Sequence, residues 1–312
     1  MHPFRCLVVL LGCASSVAMA LAADPDHVTV GDRVAQVTRE AVWTHVASIA
    51  VAVPAHHPQG MVRIGDAFFV STVEVTRRRE GSTDGGEGVG HLLHLDASGR
   101  LVRRVRLGEG AIYHPGGLDF DGTHLWVSVA EYRPDSRSIV YRVDPATLVA
   151  TEVFRFGDHL GAVVYDRDDR SLHAVSWGAR RFYRWPLDEQ GRPMNALAPR
   201  RLDNVSHYID YQDCKYAGRH RMVCTGISTV DGGARPSIAL GGLELVDLAD
   251  GRPRHQLPIA LVAKPGVVMT RNPSWVEPHS EGLRAYFMPE DDESAIHVFD
   301  VTPARSGAPA PR

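Results

Sequence analysis

The stretch HPGGLDFDGTHLWVS, from His114 to Ser128, carries a His-Pro pair, two glycines, an apolar run, an Asp-Gly turn and a second apolar run. Alternating apolar residues on both sides of a turn read as two antiparallel strands. The same order recurs in HHPQGMVRIGDAFFVSTVEV, from His56 to Val75, and both copies run on into a glutamate, Glu74 and Glu131. Weaker copies begin at His159 (HLGAVVYDRDDRSLHAVSW), His207 (HYIDYQDCKYAGRHRMVCTG) and Asn272 (NPSWVEPHSEGLRAYFMPE). From His57 the five starts are separated by 57, 45, 48 and 65 residues, so the unit is a repeat rather than a coincidence.

Four of the units continue into a third and a fourth strand, as in GHLLHLDASGRLVRRVRL and SIVYRVDPATLVATEVFRF. Four short strands per unit of about 45 residues, with turns rich in Asp, Gly and Pro, is the pattern of a β-propeller blade. The expected fold is therefore all-β, a single β-propeller of five blades, with six the alternative if the stretch between Ile227 and Asn272 holds a degenerate one. The last unit has only a third strand, AIHVFDV, before the chain runs out. Its fourth is expected from the N-terminal HVASIAVAV, which would close the ring and protect its edge strands.

The 312 residues open with MHPFRCLVVLLGCASSVAMALAAD, a basic residue followed by a short apolar run and Ala-x-Ala-type sites. These are the parts of a secretory signal peptide over 1–22, too short for a membrane span, with a lipoprotein box at Cys13 the lesser alternative. The propeller domain is then expected over 23–301, a disordered tail over 302–312, and a periplasmic or secreted location. In that compartment Cys214 and Cys224, on either side of a turn centred on Arg219, are expected to form a disulfide. The net charge of −3 and a single basic run at Arg77–Arg79 argue against a nucleic-acid partner.

The motifs HPGGLDFDGTHLWVS and SIVYRVDPATL resemble the secreted propellers around senescence marker protein, gluconolactonase, strictosidine synthase and the arylesterases. With YIDYQDC they are most similar to a bacterial family of exported propellers of uncharacterised function, over nearly the whole mature chain. The resemblance implies an axial pocket, and in gluconolactonase-like enzymes a calcium ion held by a glutamate, asparagines and an aspartate. This chain departs from that set by placing histidines at its blade starts.

In a propeller the start of each first strand and the end of each second lie on one face. That brings His57, His114, His159, His207 and Asn272 to one mouth with Glu74, Glu131 and Glu290, which follow their blade starts by 17, 17 and 18 residues. Imidazoles suit zinc, iron or manganese, whereas calcium, the alternative, prefers oxygen ligands. The four histidines are thus candidate metal ligands and Glu74 and Glu131 candidate general bases. Glu290, Asn272, Tyr113 and Tyr208 are candidate pocket residues. Each His-Pro pair also has a plain structural reading, as a loop end bonded to backbone. The aspartates of LDFDG and YDRDDR read as turn residues, Trp126, Trp177, Trp185 and Trp275 as packing, with Trp177 and Trp275 placed to reach the mouth as the alternative, and GSTDGGEGVG as a flap beside the mouth.

No Gly-x-Ser-x-Gly elbow, His-Glu-x-x-His, Walker loop or Cys-x-x-Cys occurs, so a serine hydrolase, zincin, nucleotide enzyme or thiol oxidoreductase lacks its motif. The leading expectation is a metal-dependent hydrolase of small esters or lactones; the alternatives are a non-catalytic module that binds a small molecule or protein, and an assembly scaffold with partner contacts on blade edges and loops.

Overall fold

The computed structural model describes residues 28–233, 236–264 and 266–304. The signal peptide and Cys13 lie outside them, as does the tail beyond Ala304. Among the described residues the chain is all-β apart from one turn of helix, α1 (Val30–Val34), and two 3-10 turns. Thr29 and Asp32 form a capping box on α1, two reciprocal bonds that satisfy its first free amides.

After β1 (Val42–Ala50) the chain folds four antiparallel meanders in succession. The first contains β2 (His57–Ile64), β3 (Ala67–Arg77), β4 (Glu87–Leu95) and β5 (Leu101–Leu107). The second contains β6 (His114–Phe120), β7 (Leu125–Ala130), β8 (Ser138–Val143) and β9 (Ala150–Phe156). The third contains β10 (Leu160–Asp166), β11 (Ser171–Ser176), β12 (Arg181–Pro186) and β13 (Arg200–Asp203). The fourth contains β14 (Asp210–Tyr216), β15 (Arg221–Val230), β16 (Ile238–Asp247) and β17 (Pro253–Ile259). A short pair, β18 (Val262–Lys264) and β19 (Val267–Val268), leads to β20 (Ser274–His279), β21 (Gly282–Phe287) and β22 (Ala295–Thr302). The last three strands are completed to a four-stranded sheet by β1, which pairs antiparallel with β22 from Val42 opposite Thr302 to Ala50 opposite Ala295, while a parallel bridge between Gly117 and Ala162 joins the second and third meanders into one eight-stranded sheet. Strand β22 thus runs to Thr302, into the first residue of the segment expected as a disordered tail over 302–312.

Each sheet buries a hydrophobic layer against the next. Met61, Val70 and Leu93 pack on Tyr286, Ile296 and Val298, and Val62 and Leu92 on Leu118, Val127 and Ile139. Trp126 and Phe154 pack on Val163, Leu172 and Trp185, and Val164 and Phe182 on Cys214, Met222 and Val246. Val223, Leu243 and Leu245 meet Val276, Leu283 and Phe287, with Val34 from α1 filling the same layer. The result is a propeller-like arrangement in which the first strands face inward and crowd one another. The glycines of the blade-start motif serve that crowding: a Cβ on Gly116 would stand 2.1 Å from the Gly161 carbonyl oxygen, and one on Gly60 2.6 Å from the Leu118 amide.

Inner strands of different sheets share few ladder bonds, so side chains satisfy their backbone. Ser71 donates to the Gly116 carbonyl at 2.6 Å and Ser128 to that of Leu160 at 2.8 Å. Asp213, fully buried on β14, accepts the Met61 amide at 3.0 Å and pairs with Lys215. Asp119 accepts the amides of Tyr165 at 3.0 Å and Tyr216 at 3.2 Å. Asp119 is therefore a buried clasp between sheets rather than a turn residue. Asp121 is the turn residue, accepting the amides of Thr123 and His124, each at 2.7 Å.

Cys214 and Cys224 stand directly opposite each other on β14 and β15 and form the disulfide. Among the described residues no helix is long and apolar enough to cross a membrane.

Candidate functional site

Three of the four candidate histidines share one chamber. His57 opens β2, His114 opens β6 and His159 stands one residue before β10, so each is delivered to the same end of an inner strand. Their ring centroids lie 6.5 Å apart for His57 and His114, and 6.3 Å for His114 and His159. With Gln59, Tyr132, Ser176, Trp177, Asp210 and Gln212 they line a cavity of about 200 Å³. Tyr132 stacks on His114 at 4.2 Å and 3°, and Trp177 meets the His159 ring edge-on at 4.8 Å.

His57 bonds Asp291 Oδ1 through Nδ1 at 2.8 Å, and His159 Nδ1 bonds the Glu131 carbonyl oxygen at 2.9 Å. These bonds leave Nε2 of each ring uncommitted, and His114 Nε2 is buried without a partner. Burial pushes the His114 imidazole well below its usual range, helped by His159 and His57. Burial likewise takes His159 down to about 4, against the opposing pull of the Glu131 carbonyl and Asp158. Both rings are therefore neutral near pH 7. Burial would raise the Asp291 carboxyl, but His57, Arg271 and Asn272 outweigh it and hold the group at about 2.

The other expected residues fall around this chamber rather than in it. His207 is exposed, three residues before β14, and bonds Arg180 Nη1 at 2.8 Å, while Asp210 takes the place in the wall. The Glu131 carboxylate is buried between Arg133 and Arg137, each at 2.6 Å. Glu290 turns to His297 at 3.1 Å. Asn272 is fully buried and donates to Asp291 Oδ1 at 3.0 Å, so it orients the partner of His57. Tyr208 packs between the third and fourth sheets, its hydroxyl buried and its pKa raised to about 12 by burial and Glu244.

A vestibule of about 570 Å³ opens onto the chamber, sharing His57 and Tyr132 with it, and is lined also by His56, Glu74, Arg78, Arg79, Arg271 and Asp291. The Gly-rich loop beside it is tied down rather than loose. Asp84 accepts Arg77 at 2.7 and 3.0 Å and the amides of Glu80 and Gly86, and Tyr113 donates to the Gly85 carbonyl at 2.5 Å. That loop holds the Arg79 guanidinium 5.4 Å from the Tyr132 ring centre and 4.9 Å from that of Trp177, over the chamber wall.

Among the described residues, two groups bring three ligand-type side chains within range of one metal ion: His56, Glu74 and His91, and Asp166, Asp169 and His220. Neither was read from the sequence. His91 lies inside β4, and strand periodicity alone does not tell which sheet face meets the mouth. The doublet His56–His57, whose rings diverge, was the one available signal.

Residues 8–303 match the model of a family of unknown function, DUF6454. No curated protein matches. Among solved structures the chain is similar to MPT-4, a mannose phosphorylase from Leishmania mexicana, at 11% identity and a TM-score of 0.51, over 82% of this chain and 88% of that one. It is also similar to regucalcin, a calcium-binding protein from Agrobacterium tumefaciens strain C58, at 11% identity and 0.46, over 84% and 96%. A chain of a nidogen/laminin complex matches at 13% identity and 0.41, and this protein spans 63% of its length. At 11% identity the likeness to MPT-4 bears on the fold alone.

Proposed function

The chain belongs to the DUF6454 family of unknown function, and from its own site we propose that it is an exported propeller whose axial chamber binds a small polar ester or lactone and hydrolyses it. One observation carries the reading: His57 gives Nδ1 to Asp291 at 2.8 Å, which leaves Nε2 as the working nitrogen of a residue lining both chamber and vestibule. An imidazole so oriented is a general base. Nε2 takes the proton of a water molecule as its oxygen attacks the carbonyl carbon. The proton then passes to the leaving oxygen as the C–O bond breaks. Asp291, anchored by Arg271 at 2.7 Å and Asn272 at 3.0 Å, fixes the tautomer and stabilises the transient imidazolium. Neutral His114 and His159 supply hydrogen bonds without competing for that proton.

The axial histidines act in this reading without a shared metal. Among the described residues their ring nitrogens are not one of the groups brought within range of a single ion, and His207 is held by Arg180. Glu131, committed to two arginines, is not the base. We also read the five four-stranded units as five blades, the second and third linked through β6 and β10 and the ring closed by β1 on β22, a view supported by hydrophobic layers between every successive pair. The disulfide fits the oxidising compartment to which a signal peptide would send the chain.

The test is a screen of small esters and lactones with the purified mature chain. His57→Ala and Asp291→Asn are each expected to lower kcat by about 10²-fold or more, with Glu131→Gln near wild type. Saturable binding without turnover, lost in His114→Ala, would establish the non-catalytic module instead.

A further inference from the structure

His56, Glu74 and His91 meet at the rim of the vestibule from three different strand segments. His56 stands immediately before β2, with a left-handed φ of 53° that an L-residue adopts at a cost. Thr72 pairs with His91 across β3 and β4, so Glu74, two residues on, lies diagonally opposite on the same face. Glu74 Oε2 is 3.9 Å from His56 Nε2 and 3.7 Å from His91 Nε2. The two imidazoles stack at 6.0 Å and 23°.

Those distances discriminate between two accounts of the cluster. A hydrogen bond from imidazole to carboxylate needs about 2.7–3.2 Å, and neither contact reaches it. Donor atoms around one tetrahedral ion at about 2.1 Å stand about 3.4 Å apart, and the observed pairs exceed that by a few tenths. A second observation is independent of these distances: His91 is 9% exposed, and both of its ring nitrogens are buried with no hydrogen-bond partner. A buried imidazole with neither nitrogen satisfied is costly unless something absent from the polypeptide satisfies it. The other three-residue group differs on this point. His220 Nδ1 is already bonded to Asp166 at 2.8 Å, and Asp169 to Arg184 at 2.6 Å.

We propose that His56 Nε2, Glu74 Oε2 and His91 Nε2 form a site for a divalent transition metal of the zinc class, with its open position toward the vestibule. Two histidines and one glutamate are a donor set of borderline softness, suited to zinc and poor for calcium. Three protein ligands leave a fourth position free, the form taken by exchangeable rather than purely structural zinc. His56 and Glu74 line the vestibule, so that position is open to water and to an oxygen-bearing ligand entering toward His57.

The site is separate from the axial chemistry, and its test does not depend on turnover. The untagged mature chain, stripped with chelator and dialysed, is titrated with zinc chloride by calorimetry and its metal content measured by plasma mass spectrometry. One zinc per chain is expected for wild type and for His114→Ala, with stoichiometric binding lost in His91→Ala and in Glu74→Gln. Glu74 is half-exposed, so Glu74→Gln tests the site even if His91→Ala fails to fold. Absence of binding by folded wild type would overturn the proposal. So would zinc retained in Glu74→Gln, or zinc lost in His114→Ala or His220→Ala but not at this cluster. An inactive protein that still binds zinc here would refute the hydrolase reading and leave the metal site standing.

Discussion

Replacing Lys215 with methionine removes the partner of a carboxylate to which β14 and β2 are tied. Asp213 is fully buried, accepts the Met61 amide at 3.0 Å, and is paired with the 5%-exposed Lys215. Burial raises the Asp213 carboxyl to about 6 even against the pull of that ammonium group. Removing one partner of a buried pair costs about 3–5 kcal/mol, or roughly 10 °C in Tm for a chain of this size. The cost carries a pH signature. A folded pKa above the unfolded value of 3.8 means that stability is fully present at low pH and is lost as pH rises through the folded pKa. In wild type that loss ends near pH 6. In Lys215→Met the carboxyl stays protonated to higher pH, so the loss continues, adding about 2 kcal/mol between pH 6 and pH 7.5 at 1.36 kcal/mol per unit. Urea unfolding of both proteins at pH 5, 6 and 7.5 measures it. The expected result is a penalty that grows with pH, and the double change Asp213→Asn with Lys215→Met should recover part of it. A penalty below about 1 kcal/mol, or one independent of pH, would refute the buried-clasp account.

His159 carries the opposite dependence. Its folded pKa of about 4 lies below the ordinary 6.5, so the unfolded chain binds the extra proton and stability is lost as pH falls between those values. Relative to His159→Gln, wild-type stability should decline by about 1.4 kcal/mol per pH unit across that window, and a flat difference would mean that the ring is solvated. The paired change Cys214→Ala with Cys224→Ala should cost about 3 kcal/mol, as the chain entropy of a loop this short implies, and chemical denaturation at neutral pH checks it. No change on reduction of the native protein would show that the bond does not form.

The repeat was legible in the sequence because its cause is local. Alternating apolar residues, Asp-Gly turns and the spacing from His57 to Asn272 are properties of single hairpins, and the strands of each unit form where that pattern put them. The completion of the last sheet by the N-terminal strand was legible too, since an unpaired edge needs a partner and one spare strand was available. The disulfide followed from two cysteines on either side of one turn. Even so, the capping box of α1 at Thr29 is not legible in the sequence, because a five-residue helix has no period to detect.

What tertiary structure decided is which side chains share space. Equivalent sequence positions do not keep equivalent surroundings once neighbouring sheets and loops are added. Arg133 and Arg137 take Glu131 out of the mouth, Arg180 holds His207 at the surface, and Asp291, from a loop no motif singled out, becomes the partner of His57. The strongest candidate metal ligands likewise come from positions with different roles in the repeat: a residue before a strand, one near the end of the second strand, and one within the third. The order of strands is written in local periodicity, whereas ion pairing and coordination depend on a few ångströms between residues far apart in the chain, which sequence spacing does not encode.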